Sequence, residues 1–128
     1  MNNTADTQRV VVIGGTSGIG FAVAQAAAVQ GSNVVVASSS QGRVDLAVKK
    51  LGGPAEGILL DVADEAALAA FFDRVGEFDH LVYTAGESLL LKPLADLTAE
   101  ESRAFFERRF WGALLAAKYA TPKLRPGG

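Results

Sequence analysis

The stretch Val10-Val11-Val12-Ile13-Gly14-Gly15-Thr16-Ser17-Gly18-Ile19-Gly20 restricts what this chain can become more than any other. An apolar β-branched run favours a strand, and here it turns through glycines into a helix expected over Phe21 to Gln30. That is the build of a dinucleotide phosphate site, in which the free N–H groups and positive dipole end of a helix face the phosphates. The glycines have separate tasks. Gly14 makes the sharp exit from the strand, Gly18 removes a side chain where a pyrophosphate must approach backbone, and Gly20 lets the helix close on the sheet.

Composition narrows the partners. The 128 residues are one domain's worth of chain, and 49% apolar with 20% charged residues describes a soluble globular protein. A net charge of -2 gives no field to attract nucleic acid, and no Lys/Arg cluster is interleaved with aromatics. Without cysteine there is no disulfide, thiolate metal site or Cys nucleophile, and His80 is the only histidine, which disfavours metal clusters and Ser/His triads. No apolar run reaches the length of a membrane span, so the expected location is cytoplasmic.

Strand and helix signals alternate. Asn33 to Ser38 is a buried strand, followed by the helical stripe Val44, Ala47, Val48 and Leu51, ended by Gly52 and Gly53. Ile58 to Leu60 is a third strand. Leu68, Phe71, Phe72 and Val75 give a third helix, started by Asp64 as N-cap and stopped at Gly76; His80 to Thr84 is a fourth strand. Thr98-Ala99-Glu100-Glu101 is a capping box opening a long helix to about Tyr119. The expectation is an α/β, Rossmann-type doubly wound parallel sheet of order 3-2-1-4, a single dinucleotide-binding unit over residues 1–128.

The glycine spacing G-x-x-x-G-x-G resembles the fingerprint T-G-x-x-x-G-I-G of the short-chain dehydrogenase/reductase family, with Ile13 in place of the threonine. The resemblance implies a nicotinamide cofactor held by Gly14, Thr16, Ser17, Gly18, Ile19 and Gly20. Asp61-Val62 matches the family's Asp-Val pair at the end of the third strand, whose carboxylate takes a hydrogen bond from the adenine amino group; the alternative is that Asp61 only caps the turn before Asp64. Tyr83-Thr84-Ala85-Gly86 stands where the family has Asn-Asn-Ala-Gly. Ala85 and Gly86 fit a close passage of the cofactor, whereas both asparagines and their hydrogen bonds are missing.

In the family the long helix carries an active-site asparagine in a stretch N-x-x-G, and the matching segment is Arg109-Phe110-Trp111-Gly112. Helical spacing places Arg109 on a face with Phe106, Phe110 and Ala113, as either a snorkelling edge residue or part of a proton relay. The family's catalytic serine and Tyr-x-x-x-Lys do not occur in their places within these 128 residues, so no catalytic residue is assigned here. Tyr119 and Lys123 match the spacing, but Pro122 lies between them and would not let them share a face. Tyr83 and His80 read as strand residues.

Cofactor choice turns on the end of the second strand. An acidic residue there would hold a ribose 2′-OH; the chain has Ser38-Ser39-Ser40-Gln41-Gly42-Arg43, whose hydroxyls and guanidinium suit a 2′-phosphate. NADP(H) is therefore favoured over NAD(H), unless the serines merely form the turn and Arg43 decorates the helix. The resemblance implies hydride transfer with a small-molecule carbonyl or alcohol substrate. A leucine-rich loop from Glu87 to Leu97 is the expected wall of its pocket. The chain is expected to be the cofactor-binding portion of a longer protein that self-associates, as a dimer or tetramer, through its long helices. Two alternatives stay open: a non-catalytic NADP(H)-binding sensor or remnant, and a methyltransferase using S-adenosylmethionine on a similar sheet.

Overall fold

A computed structural model describes residues 7–86 and 91–128. Four parallel strands, β1 (Arg9–Ile13), β2 (Asn33–Ser38), β3 (Glu56–Leu59) and β4 (His80–Tyr83), lie in the order β3-β2-β1-β4. This is the predicted topology. The register runs Ile13 beside Ala37 on one side and beside Tyr83 on the other, which brings the carboxyl ends of the central strands to one rim.

Alternation along β1 and β2 explains why both sheet faces must be covered. Val11, Ile13, Val35 and Ala37 pack with Leu68, Phe71, Phe72 and Val75 of helix α3 (Glu65–Val75). Val10, Val12, Val34 and Val36 pack on the opposite face with Ala24 of helix α1 (Gly18–Val29) and Ala47 of helix α2 (Gln41–Leu51). Strands buried on both faces read as continuous apolar runs, as Val10 to Ile13 does. The connections through α1 and α2 lead outward from β1 to β3, and α3 returns on the other face to β4. That reversal beside β1 is where an open α/β sheet binds ligands.

Several boundaries differ from the sequence reading. Helix α1 starts at Gly18 rather than Phe21, because Gly18 (φ +56) already turns the chain and Ser17 is its N-cap. Strand β3 covers Glu56–Leu59 instead of beginning at Ile58, and β4 ends at Tyr83. The larger difference is in the last helix. It begins with the expected capping box as α4 (Ala99–Phe106), passes through a π turn over Glu107–Trp111, and continues as α5 (Gly112–Ala120). Hydrophobic periodicity carries no sign of such a local widening.

Beyond β4, Leu124 forms a parallel bridge with Phe78: the Phe78 N–H donates to the Lys123 carbonyl (3.1 Å) and the Arg125 N–H to the Phe78 carbonyl (2.9 Å). Asp79 fixes this corner by accepting from the Arg9 N–H (2.7 Å) and from Arg125 Nη1 (3.0 Å). The helix face carrying Phe106, Phe110, Trp111 and Leu114 is half exposed.

Two predictions follow from this packing. Phe72 is 1% exposed between Phe71 and Phe78, with ring centroids at 5.0 and 5.8 Å. Phe72→Ala is expected to destabilise the protein by about 3–5 kcal/mol in denaturant unfolding, through lost transfer energy and the cavity left behind. In α4, Glu101 accepts from the Lys92 ammonium (2.8 Å) and from the Thr98 N–H (3.0 Å). The Lys92 bond first, and then the cap, hold its carboxyl down at about 2, against 4.5 for a solvated glutamate. A depressed carboxyl contributes above its unfolded value and loses that contribution as pH falls through the folded one. Protection of the α4 amides against hydrogen exchange, corrected for intrinsic rates, should therefore decline between pH 4.5 and 2, and Glu101→Gln should flatten that decline.

Candidate functional site

The turn between β1 and α1 is built by approaches that only glycine permits. At Gly14 (φ +87) a Cβ would stand 2.7 Å from the Ala85 nitrogen and 2.7 Å from Thr84 Oγ1. At Gly20 it would fall on the Gly14 carbonyl oxygen, so this glycine closes the helix onto its own entry turn as well as onto the strand end. Gly18 has nothing within 4 Å of a built Cβ, and its backbone faces open space. Gly15 was not singled out in the sequence, yet it is buried and a Cβ there would meet Val36 Cγ1 at 2.8 Å. A small residue between two special ones gives no separate signal.

The missing asparagines of the Tyr83-Thr84-Ala85-Gly86 segment are partly replaced. The Thr84 hydroxyl donates to the Gly14 carbonyl (3.2 Å), with the Ile13 carbonyl at 3.4 Å, and the Thr84 N–H donates to Ile13 (2.8 Å). The end of β4 is thus tied directly to the glycine turn.

Around that turn lies a cleft of about 640 Å³ at the carboxyl rim of the sheet. Gly14, Thr16, Ser17, Gly18, Ile19, Gly20, Ser38, Ser39, Arg43, Val62, Ala85 and Gly86 line it together with Thr84 and Arg108. Twelve residues singled out in the sequence, drawn from three separate βα turns and the end of β4, meet in one place. Ser40 and Asp61 are not among the lining residues. Ser40 Oγ accepts from the Arg43 N–H (3.4 Å) as the N-cap of α2, and Asp61 Oδ1 accepts from the Ala63 N–H (3.0 Å) at an exposed turn. For both residues the described bonds are local, of the kind that short polar side chains make with nearby backbone.

The helix ends differ in a way that bears on ligand chemistry. Ser40, Asp64 and Thr98 cap α2, α3 and α4 with side-chain oxygens. Ser17 makes no such bond at α1, and the first turn of α1 has no acidic residue. The N-terminal amides of α1 are left for an external anion, beside the open backbone of Gly18. Cleft, amides and glycine cradle fit a dinucleotide.

On the helix side of the cleft, Arg108 is a lining residue that the sequence reading missed, because helical spacing does not reveal the π turn. Arg109 does not share the face of Phe106 and Phe110. Its guanidinium lies 4.6 Å from the Phe105 ring centroid, and a Cβ on Gly86 would stand 3.1 Å from Arg109 Cζ. A solvated helix-edge arginine does not describe it, since Arg109 Nε is buried. Tyr83, at the end of β4, donates its hydroxyl to the Arg108 carbonyl, and burial, opposed by the Arg108 charge, pushes the phenol up to about 12. His80 is exposed at the strand entry.

Tyr119 and Lys123 each pair with an acidic residue, and neither lines the cleft. The Tyr119 hydroxyl donates to Glu65 Oε1 (2.7 Å), which raises its pKa, and Lys123 Nζ pairs with Asp73 (3.4 Å). Both are anchored to α3, with Pro122 in a 3₁₀ turn between them. Of the leucine-rich loop, residues 87–90 lie outside the described residues, and Leu91 and Leu94 are 84% and 86% exposed, away from the cleft lining. Among the described residues there is no group of three or more His, Cys, Asp or Glu placed to hold a metal, and no helix long and apolar enough to cross a membrane.

Comparison with known proteins agrees with the geometry. The family model for short chain dehydrogenases matches residues 8–128. A short-chain dehydrogenase/reductase of Acremonium sp is 43% identical over 90% of this chain and 50% of its own length. One from Gibberella fujikuroi is 33% identical over 94% of this chain and 51% of its own. Among solved structures, a short-chain type dehydrogenase/reductase from Mycobacterium ulcerans superposes with a TM-score of 0.85 at 25% identity, covering 91% of this chain and 46% of that one. A short-chain dehydrogenase from Streptomyces avermitilis gives 0.83 at 27% identity, over 94% and 45%. The chain spans about half the length of the relatives it matches. A parallel sheet of order 3-2-1-4 with a glycine turn closed against the end of β4, and a family match over nearly the whole sequence, place this chain in the short-chain dehydrogenase/reductase family.

Proposed function

We propose that the chain supplies the dinucleotide site of an NADP(H)-dependent oxidoreductase, in which hydride passes between the nicotinamide and a carbonyl or alcohol carbon of a small molecule. The observation that carries this reading is the cleft at the uncapped start of α1, lined by the glycine turn, the serine-rich end of β2 with Arg43, and Ala85-Gly86. The cofactor supplies or accepts the hydride; everything else asked of these residues is binding and orientation. The amides of Gly18, Ile19 and Gly20 take the pyrophosphate charge, with Thr16 and Ser17 offering hydroxyls at its edge. Ser38, Ser39 and Arg43 receive the 2′-phosphate, Ser40 holds the helix start that presents them, and Val62 bounds the adenine end, in a turn that Asp61 holds through the Ala63 N–H. Ala85 and Gly86 leave room for the nicotinamide half.

The proton-transfer residues are proposed to lie outside these 128 residues, a reading supported by the chain's spanning about half the length of its relatives. The complete protein is proposed to be cytoplasmic and to self-associate through the half-exposed helix face of Phe110 and Leu114. A second reading, a dinucleotide-binding protein without turnover, is favoured by one feature: Arg109 occupies the family's asparagine position, and a guanidinium does not release a proton at ordinary pH. Family membership leaves the methyltransferase alternative without support.

Two measurements test the cofactor site. Arg43→Ala is expected to weaken NADPH by about 1–3 kcal/mol, the worth of a charge-assisted hydrogen bond, and to leave NADH within experimental scatter in parallel titrations. Equal losses for the two nucleotides would remove the 2′-phosphate assignment. Gly18→Val adds a branched side chain over the phosphate approach and places it at φ +56, so it is expected to cost about 1–2 kcal/mol of stability. It should also reduce the affinity for NADPH and NADH together by at least ~100-fold. Retained binding of both would make the glycine turn purely structural.

A further inference from the structure

The Tyr83 hydroxyl has no task in the cofactor reading, yet its surroundings are built around it. In a regular α-helix the Gly112 N–H would bond to the Arg108 carbonyl, four residues back. Here it donates to the Glu107 carbonyl, five residues back, so Arg108 loses its ordinary donor. The Tyr83 hydroxyl, reaching from the end of β4, donates to that carbonyl. Gly112 is buried, and a Cβ on it would fall on the Tyr83 oxygen, so even an alanine there would displace the hydroxyl.

A π turn holds one more residue than the α-helical turn it replaces, and one residue corresponds to about 100° of rotation around the axis. If the Arg108 carbonyl returned to the α ladder, everything on the α4 side would rotate by roughly that angle relative to α5. Arg108 would leave the cleft lining, and Arg109 would leave its place against Gly86. The bond therefore does more than hold a helix near a strand. We infer that Tyr83 is a positioning residue for the nicotinamide end of the cleft: by engaging the Arg108 carbonyl, its hydroxyl fixes the π turn that presents Arg108 to the cleft and packs Arg109 on Gly86. The inference rests on the reading of the cleft as a dinucleotide site. Tyr83 touches none of the reacting atoms and acts through the two arginines.

The test uses the full-length protein with Tyr83→Phe, which keeps the ring and removes the donor, and Gly112→Ala, which keeps the hydroxyl and occupies its place. Two readouts are needed. Hydrogen exchange of the amides of residues 107–112 should accelerate at least tenfold in either variant while the α1 amides stay unchanged. Titration with 2′,5′-ADP, which lacks the nicotinamide, should stay within twofold of the wild type, whereas NADPH should weaken at least fivefold. In the double variant, removal of the hydroxyl should relieve the collision, so the loss for NADPH should be smaller than the product of the two single losses. Unchanged exchange in Tyr83→Phe, or equal effects on the two nucleotides, would overturn the inference. Wild-type protein that binds neither nucleotide would overturn the cofactor reading and the inference with it. That outcome is separate from a wild type that binds both and a Tyr83→Phe protein that binds them equally well, where only the role of Tyr83 falls.

Discussion

The contact between the β1–α1 turn and the end of β4 is the constraint on which the rest of this structure depends. Three chain segments come together within about one van der Waals diameter: Gly14 leaves β1, Gly20 lies in the first turn of α1, and Thr84 follows β4. Neither glycine has room for a Cβ, and the Thr84 hydroxyl occupies the space between them, donating to the Gly14 carbonyl. A side chain at either glycine would push α1 away from the sheet rim, and the open backbone of Gly18 would no longer stand over the cleft. Core packing explains that the sheet exists. This contact explains where its ligand cleft lies.

Side-chain capping is distributed according to the same logic. Helices α2, α3 and α4 carry their own acceptors, Ser40, Asp64 and Thr98, and gain the corresponding stability. Helix α1, entered through the glycine turn, forgoes a side-chain cap, which costs about 1 kcal/mol and leaves its first amides without a side-chain acceptor. A sequence optimised for stability alone would place an engaged Ser, Thr or Asp there. The site is thus marked by a local departure from the rule the other helices follow.

Most of the fold was legible in the residues. Val10 to Ile13 and Asn33 to Ser38 are apolar runs bounded by glycine or polar turns, and both are central strands as read. Asp64 and Gly76 bracket α3, and the Thr98 to Glu101 box opens α4. The twelve sequence-derived residues in the cleft lining were legible because glycine spacing and strand-end position are local signals. Ser40 and Asp61 illustrate the limit. A short polar residue before a helix or in a turn carries one sequence signature for two uses, holding a ligand or holding its own backbone, and here both are engaged with nearby amides.

The strands, the helices and the glycine turn were determined by the sequence itself, because each follows from periodicity and glycine placement within a few residues of one another; the strand order followed from the rule for parallel crossovers, and the family from the resemblance of the glycine spacing. The tertiary structure alone decided what happens between Phe106 and Gly112. Helical spacing assigned Arg109 to the face of Phe106 and Phe110, and nothing local in Glu107 to Trp111 announces a turn with an extra residue. The turn exists because Tyr83, more than 20 residues earlier, delivers a hydroxyl to the Arg108 carbonyl past a glycine that has no side chain to block it. A hydrogen bond between distant segments competes with the local helical ladder, and its outcome depends on distances that only the folded chain defines.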